Sequence, residues 1–277
     1  MELHYYKDAV GNFGDDLNPW LWPQLFPMPI RACADDQTLF IGIGSLLNHR
    51  VPSMPPKKIV FGAGCGYGPA PAVTDQWRFW CVRGPLTASA LGLPPSAAIC
   101  DGAVLVRELM EPAPSPGGAA AFMPHHRTSP YDDWRAVCAP LGMRYIDPAG
   151  SVQETLDLIR MSSLVITESL HGAIVADAFR VPWIPVRTRR RILGFKWEDF
   201  ALSLGLVHRF EWLLPAWKKD IDWKLKRAAR PLTGSIARAR LRWLVRFGER
   251  RLSRQDVFDE TRVRLRGRFQ QLLEAVT

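Results

Sequence analysis

The sequence predicts an α/β fold: two doubly wound parallel sheets facing a cleft, followed by a basic helical tail. Three observations predict it. Short apolar runs repeatedly end in Gly/Asp turns and lead into helical patterns, the alternation of a parallel sheet. A stretch of proline and glycine, Glu111-Pro-Ala-Pro-Ser-Pro-Gly-Gly118, divides the chain, because neither residue type sustains a helix or a central strand. Charge also separates by position. Residues 217–277 hold 17 Lys/Arg against 7 Asp/Glu, while residues 1–216 hold 19 against 20. The expected units are therefore 1–111, 119–214 and a basic amphipathic tail, 215–277.

The elements follow in order. Leu3–Tyr6 reads as a first strand. Gly11-Asn12-Phe13-Gly14-Asp15-Asp16-Leu17-Asn18 reads as a polar turn. Pro19–Leu25 reads as a short helix with Asn18 as its N-cap and Pro19 in first position. Leu39–Ile43 and Lys58–Phe61 are strands that end in glycine turns. Neither turn fits GxGxxG with a following acidic residue, so close backbone packing explains their glycines better than a nucleotide does. Arg78–Val82 is a strand, Leu86–Leu91 a helix, and Ile99-Cys100-Asp101-Gly102 a strand-end turn. Beyond the divider come strand Ala119–Met123, helix Trp134–Leu141, strand Met143–Ile146 and helix Val152–Arg160. Both units read as Rossmann-like.

The richest stretch is Leu164–Val186, LVITESLHGAIVADAFRVPWIPV. A strand, Leu164–Thr167, meets the turn Glu168-Ser169-Leu170-His171-Gly172. Helix Ala173–Phe179 and strand Trp183–Val186 follow. His171 thus falls beyond a strand's carboxyl end and at a helix N-terminus, where open α/β sheets gather ligands and free N–H groups attract anions. Gly172 is expected to let a ligand approach the backbone. The competing reading is a histidine that caps its own helix.

Composition narrows the class. At 277 residues and 47% hydrophobic content, the chain can bury one large core or two smaller ones. No apolar run reaches the roughly 18–20 residues of a membrane span. The opening MELHYYKDAV has neither the basic nor the apolar segment of a signal peptide. The five cysteines, Cys33, Cys65, Cys81, Cys100 and Cys138, are scattered without CxxC or metal-ligand spacing, as expected of reduced structural thiols in a cytoplasmic protein.

Four motifs occur in order: Gly11-Asn12-Phe13-Gly14-Asp15-Asp16-Leu17, Arg83-Gly84-Pro85-Leu86-Thr87, Cys100-Asp101-Gly102-Ala103 and Ser169-Leu170-His171-Gly172. Over about residues 1–210 they resemble the polysaccharide pyruvyl transferases, particularly the bacterial exopolysaccharide branch that modifies succinoglycan- or xanthan-like repeats. The resemblance implies a GT-B-like fold, phosphoenolpyruvate as donor and a sugar hydroxyl pair as acceptor, joined as a pyruvate ketal with release of phosphate. Several family members carry Arg two residues before the motif histidine. Here that position is Ser169, so another cation must hold the donor.

That chemistry assigns expected roles. His171 is the general acid that protonates the donor's methylene carbon, helped by the donor phosphate, which would raise its pKa. Asp15 or Asp16 is the base for a sugar hydroxyl; the alternative is that both only bond their own turn. Donor contacts are expected from Arg83, His125, Arg187, Lys196, Ser169 and Gly172, with Arg189, Arg190 and Arg191 as further cations; His126 could also face the donor, one of the two adjacent histidines being expected only at the surface. Arg83 has an alternative as the ion-pair partner of Asp101. Asn12 and Asp101 are expected at the acceptor. Trp20, Trp22, Trp77 and Trp80 either stack on sugars or, more commonly for tryptophan, fill the core. No cofactor and no metal are expected.

In the tail, Arg238, Arg242, Arg246 and Arg250 recur every four residues, and Leu241, Leu244, Val245 and Leu252 fall on another face. A basic amphipathic helix suits an anionic leaflet. The expected placement is therefore cytoplasmic and peripheral on the inner membrane, beside a lipid-linked oligosaccharide acceptor, with no nucleic acid partner because no binding motif accompanies the charge. The alternative is a helix packed on the body. Two other functions stay open: a glycosyltransferase of similar fold using a sugar nucleotide, and a non-catalytic membrane assembly component.

Overall fold

The computed structural model describes residues 1–113, 118–190, 192–217 and 224–277, with the side chains of 224–231 also left out. Part of the expected divider (114–117), Arg191 and the start of the tail therefore lie outside the described residues.

Strands β1 (Glu2–His4), β2 (Thr38–Ile41), β3 (Lys57–Phe61) and β4 (Trp77–Cys81) form one parallel sheet in the order β1-β2-β3-β4. Strands β5 (Ala121–Met123), β6 (Arg144–Tyr145), β7 (Val165–Thr167), β8 (Trp183–Arg187) and β9 (Glu211–Trp212) form a second, in the order β6-β5-β7-β8-β9, also parallel throughout. β2 and β7 are buried along their whole length, as helix-covered parallel strands must be. Helices α1 (Phe13–Leu25), α2 (Pro85–Ala90), α3 (Trp134–Cys138), α4 (Val152–Arg160), α5 (Leu170–Ala178), α6 (Gly194–Ser203), α7 (Lys224–Phe247) and α8 (Gln255–Val276) complete the framework, with a 3-10 helix at Gly102–Glu108. The two sheets share their main apolar core, which runs from Leu17, Trp22 and Phe61 through Val104 and Ile174 to Trp197 and Phe269.

The glycine turns of the first sheet are packing devices. A Cβ at Gly42 would strike the Trp22 indole, one at Gly62 the Gly102 backbone, and one at Gly64 the Arg83 guanidinium. Trp22 and Trp77 are buried, and Trp20 and Trp80 pack partly against the core.

α1 begins six residues before the predicted helix. Asn12, not Asn18, precedes its first residue, and the expected turn is the helix's opening. Pro19 sits inside it and cannot donate to the Asp15 carbonyl four residues back. Asn18 compensates: its Nδ2 donates to Asp15 O (3.1 Å) and to Ile43 O (3.0 Å). Its Oδ1 accepts from Trp22 Nε1 and Ile43 N, which ties α1 to the end of β2.

The C-terminal helices are not a detached tail. Ala237, Leu241 and Leu244 of α7 are fully buried against the second sheet with Ile184 and Val186. Phe258, Leu265, Phe269 and Leu272 of α8 join the main core, where the Phe269 ring meets Trp22, Phe26 and Phe61. The link between α7 and α8 is pinned too: Arg251 exchanges backbone hydrogen bonds with Trp183, and Ser253 donates its N–H and hydroxyl to the buried Asp177. Leu241 and Leu244, expected to face lipid, are thus used inside the protein. Arg250 and Leu252 fall beyond the end of α7.

Candidate active site

A cavity of about 460 Å³ lies at the carboxyl edges of both sheets. Its walls come from the segment leaving β1 (His4, Tyr5, Tyr6, Lys7), the start of α1 (Asn12, Asp15) and the loops after β2 (Ser45, Leu46, Asn48, Arg50) and β3 (Tyr67). From the second sheet come the loop after β5 (His125, His126, Arg127), the β7–α5 turn (Ser169, Leu170, His171) and Lys196 on α6. Strand carboxyl ends are where parallel sheets collect ligands, since helix N-termini converge there.

The cavity is cationic. Lys7, Arg50, Arg127 and Lys196 line it against a single carboxylate, Asp15. Among the described residues none of the four makes an ion pair. Lys196 Nζ instead donates to Tyr67 Oη (3.0 Å), and both Lys196 and Arg127 lie over the Tyr67 ring. The histidines carry the imprint of that charge. Burial, then the charge of Lys196, lowers His125 to about 2, and burial with Arg127 lowers His126 to about 4. His171 falls to about 3 through burial, Lys196 and Arg83. All three imidazoles are neutral at pH 7, each disfavoured in its protonated form first by burial and then by neighbouring cations, of which Lys196 and Arg127 make no ion pair among the described residues.

His171 is held by its neighbours. Helix α5 starts at Leu170 with Ser169 as N-cap, its Oγ accepting from Gly172 N (3.4 Å). His171 therefore sits in the helix's first turn and does not cap it. Its ring lies so close over Gly14 that a Cβ there would collide with Nδ1. Its Nε2 faces Asp101 Oδ2 at 3.9 Å, and the Asp101 carboxylate is fully buried behind it. Glu168 braces this edge. Entirely buried, it accepts from His125 N, Thr128 Oγ1, Thr188 N and Thr188 Oγ1, so one carboxylate joins the ends of β5, β7 and β8.

The expected site residues divide into two groups. His171, Asp15, Asn12, His125, Ser169 and Lys196 all line the cavity, and His126 lines it too, so both adjacent histidines face it. Burial raises the Asp15 carboxyl to about 6, against the hydrogen bond from Asn12 Nδ2 (2.5 Å). The others stand elsewhere. Asp16 Oδ2 accepts from Asn12 N (2.9 Å) and closes the start of α1. Gly172 approaches no ligand: the space a Cβ would take belongs to Met123 and Thr167. Arg187 is stacked against Phe210 and Trp212, outside the cavity. Arg189 pairs with Asp132, and Arg190 is exposed.

Arg83 and Asp101 are one layer back. Arg83 is wholly buried; its partner is Asp199 (3.0 Å), not Asp101, and its other nitrogens donate to Ser45 Oγ and Cys65 O. Asp199 also accepts from Thr87 N and Oγ1, so this ion pair joins the α2 start to α6. Arg83 therefore reaches the cavity only through Ser45. Asp101 contacts His171, not open space.

Residues 37–190 match the polysaccharide pyruvyl transferase family, more than half of the chain, and the chain belongs to that family. It is a member of a transferase family. Succinoglycan biosynthesis protein ExoV of Rhizobium meliloti (strain 1021) is 41% identical over 212 residues, 76% of this chain. The match spans 66% of that protein, just under two thirds of its length.

Proposed function

We propose that the chain transfers the pyruvyl group of phosphoenolpyruvate to a hydroxyl pair of an exopolysaccharide repeat, forming a ketal and releasing phosphate. The observation that carries this reading is a cavity with four unpaired Lys/Arg side chains and one carboxylate. A small ligand bearing a phosphate and a carboxylate matches such a site, and Lys196 and Arg127, which line the same cavity as Ser169, can supply the charge of the Arg missing there.

The residues present can divide the chemistry. Donor charge offsets Lys196 and Arg127, so the neighbouring imidazoles gain protons as the donor binds. Protonated His171 gives its proton to the methylene carbon, leaving an oxocarbenium-like centre at C2. A sugar oxygen attacks C2 and passes its proton to Asp15, whose pKa near 6 leaves it ionised at neutral pH yet basic enough to accept. The C2–O bond to phosphate breaks. The second hydroxyl closes the ketal. Two hydroxyl protons leave, one replaces the proton given to carbon, and one departs with phosphate. By the name of the ExoV relative, a succinoglycan-type repeat is the first acceptor to try, and its lipid-linked form is the one proposed.

Thermal protection of the full chain tests the reading. A ligand that binds only the folded state stabilises it by RT ln(1 + [L]/Kd), about 2.7 kcal/mol at a hundred times Kd. Phosphoenolpyruvate should raise Tm by several degrees and nucleoside diphosphate sugars should not, and Lys196→Met should abolish the shift. Protection by a sugar nucleotide alone would favour glycosyl transfer instead.

A further inference from the structure

Helix α7 has two apolar faces. The inner one, Ala237, Leu241 and Leu244, is buried in the core. The outer one carries Leu232, Ile236, Trp243 and Phe247, at 64%, 40%, 44% and 60% exposure. Their offsets of 4, 11 and 15 residues place them on one side of the helix, with the exposed Ala239 between. Large apolar side chains left in water along a continuous stripe mark an interaction surface.

Arginines frame that stripe. Arg242 and Arg246 are exposed beside it. The Arg246 guanidinium lies 5.2 Å over the Phe247 ring and that of Arg240 4.3 Å over Trp243, while the two rings sit 6.0 Å apart. No acidic residue occurs between Leu232 and Phe247. The nearest in sequence, Glu249, pairs with Arg251, and Arg240 pairs with Glu211 of β9, which leaves Arg242 and Arg246 as the arginines beside the stripe without an ion pair among the described residues.

We propose that this outer stripe binds an anionic membrane leaflet, with Trp243 and Phe247 entering the headgroup boundary and Arg242 and Arg246 meeting lipid phosphates. Indole and phenyl rings flanked by arginine suit that boundary, where one end of a side chain is apolar and the other wet. Anionic headgroups supply the charge complement. A second copy of the chain does not, since two-fold docking through the stripe would bring together two identical surfaces that carry arginines and no acidic residue between Leu232 and Phe247. The stripe is distinct from the buried face that the heptad-like leucines suggest, and the inference is independent of the reaction proposed above.

Co-sedimentation of the full chain with vesicles tests it. Vesicles of phosphatidylglycerol and phosphatidylethanolamine should capture the protein at low salt, and pure phosphatidylcholine vesicles should not. Trp243→Ser with Phe247→Ser should weaken capture on the order of tenfold or more. Arg242→Gln with Arg246→Gln should weaken it about 25-fold, since each basic residue near the leaflet contributes roughly fivefold, and should flatten the salt dependence. All four side chains are exposed, so thermal unfolding should match wild type and separate lost binding from lost folding. Equal capture of wild type and both variants would overturn the proposal. So would light scattering that shows a dimer in wild type and a monomer in the aromatic variant, because the stripe would then be a self-interface.

Discussion

Nε2 of His171 faces Oδ2 of Asp101 at 3.9 Å, and neither atom has a hydrogen-bond partner among the described residues. The second Asp101 oxygen is occupied by Ala103 N at 3.0 Å, so the carboxylate is fixed at the start of the 3-10 helix. Two buried polar atoms left open toward each other are costly unless they bond in another state. Protonation of His171 supplies that state. On the proposed mechanism Asp101 is a positioning residue for His171, favouring the imidazolium once the donor has brought negative charge.

Asp101→Asn should lower turnover about tenfold to a hundredfold while leaving phosphoenolpyruvate affinity within a few-fold. The alkaline limb of its pH–rate profile should move to lower pH, because an amide does not favour the protonated imidazole as a carboxylate does. A purely structural role would scale the profile without moving it. Stability gives a second readout. Burial raises the Asp101 carboxyl to about 6, opposed by Arg83. A raised carboxyl pKa means the folded state binds the extra proton between about pH 4 and 6, so the ionised group costs stability above that window. The variant should match or exceed wild type in Tm at pH 8 and lose that advantage near pH 4.

Donor binding should take up protons. Burial and the charges of Lys196, Arg127 and Arg83 hold His125, His126 and His171 neutral. A bound anion reverses the charge contribution. Titration calorimetry at pH 7 in two buffers of different ionisation enthalpy should show uptake of about one proton per phosphoenolpyruvate, reduced in His171→Gln. Identical heats in both buffers would remove proton-coupled binding from the scheme.

Removing α8 should unfold the protein. Phe258, Leu265, Phe269 and Leu272 are buried, and each contributes about 1.5–3 kcal/mol relative to exposure. Together that is comparable to the roughly 5–15 kcal/mol that holds a domain folded. A chain ending after Ser253 should be insoluble or lack a cooperative thermal transition. A soluble, cooperatively folded product would show that the core closes without α8.

The fold was legible where one rule governs an element. α4 starts and ends where Ser151 caps it and its apolar period stops, and α3 also begins at its predicted residue. α1 was misjudged because proline is read as a helix start. Only the fold shows that the Asn18 amide satisfies the carbonyl that Pro19 leaves open. His171, Asp15 and Lys196 could be picked out as chemistry-bearing groups near strand ends. Lys7, Arg50 and Tyr67 were passed over, although the strand-end rule applied to β1, β2 and β3 points to them. Arg187 follows a strand like the others, yet aromatic stacking turns it away. The long-range partners, Arg83 with Asp199 and Glu168 with its four donors, leave no local pattern. The tail's inner and outer apolar faces were not separable either, since charge and period alone do not say which face meets the core.

The central claim is that His171 protonates the donor in this cavity. The direct measurement is phosphate released from phosphoenolpyruvate by wild type and His171→Gln, with and without a lipid-linked saccharide from a succinoglycan-producing strain. Wild type should release phosphate only with acceptor, in step with ketal formed. His171→Gln should be about 10²–10⁴-fold slower while still gaining thermal protection from phosphoenolpyruvate. Near-wild-type release by His171→Gln, in step with ketal formation, would contradict the account.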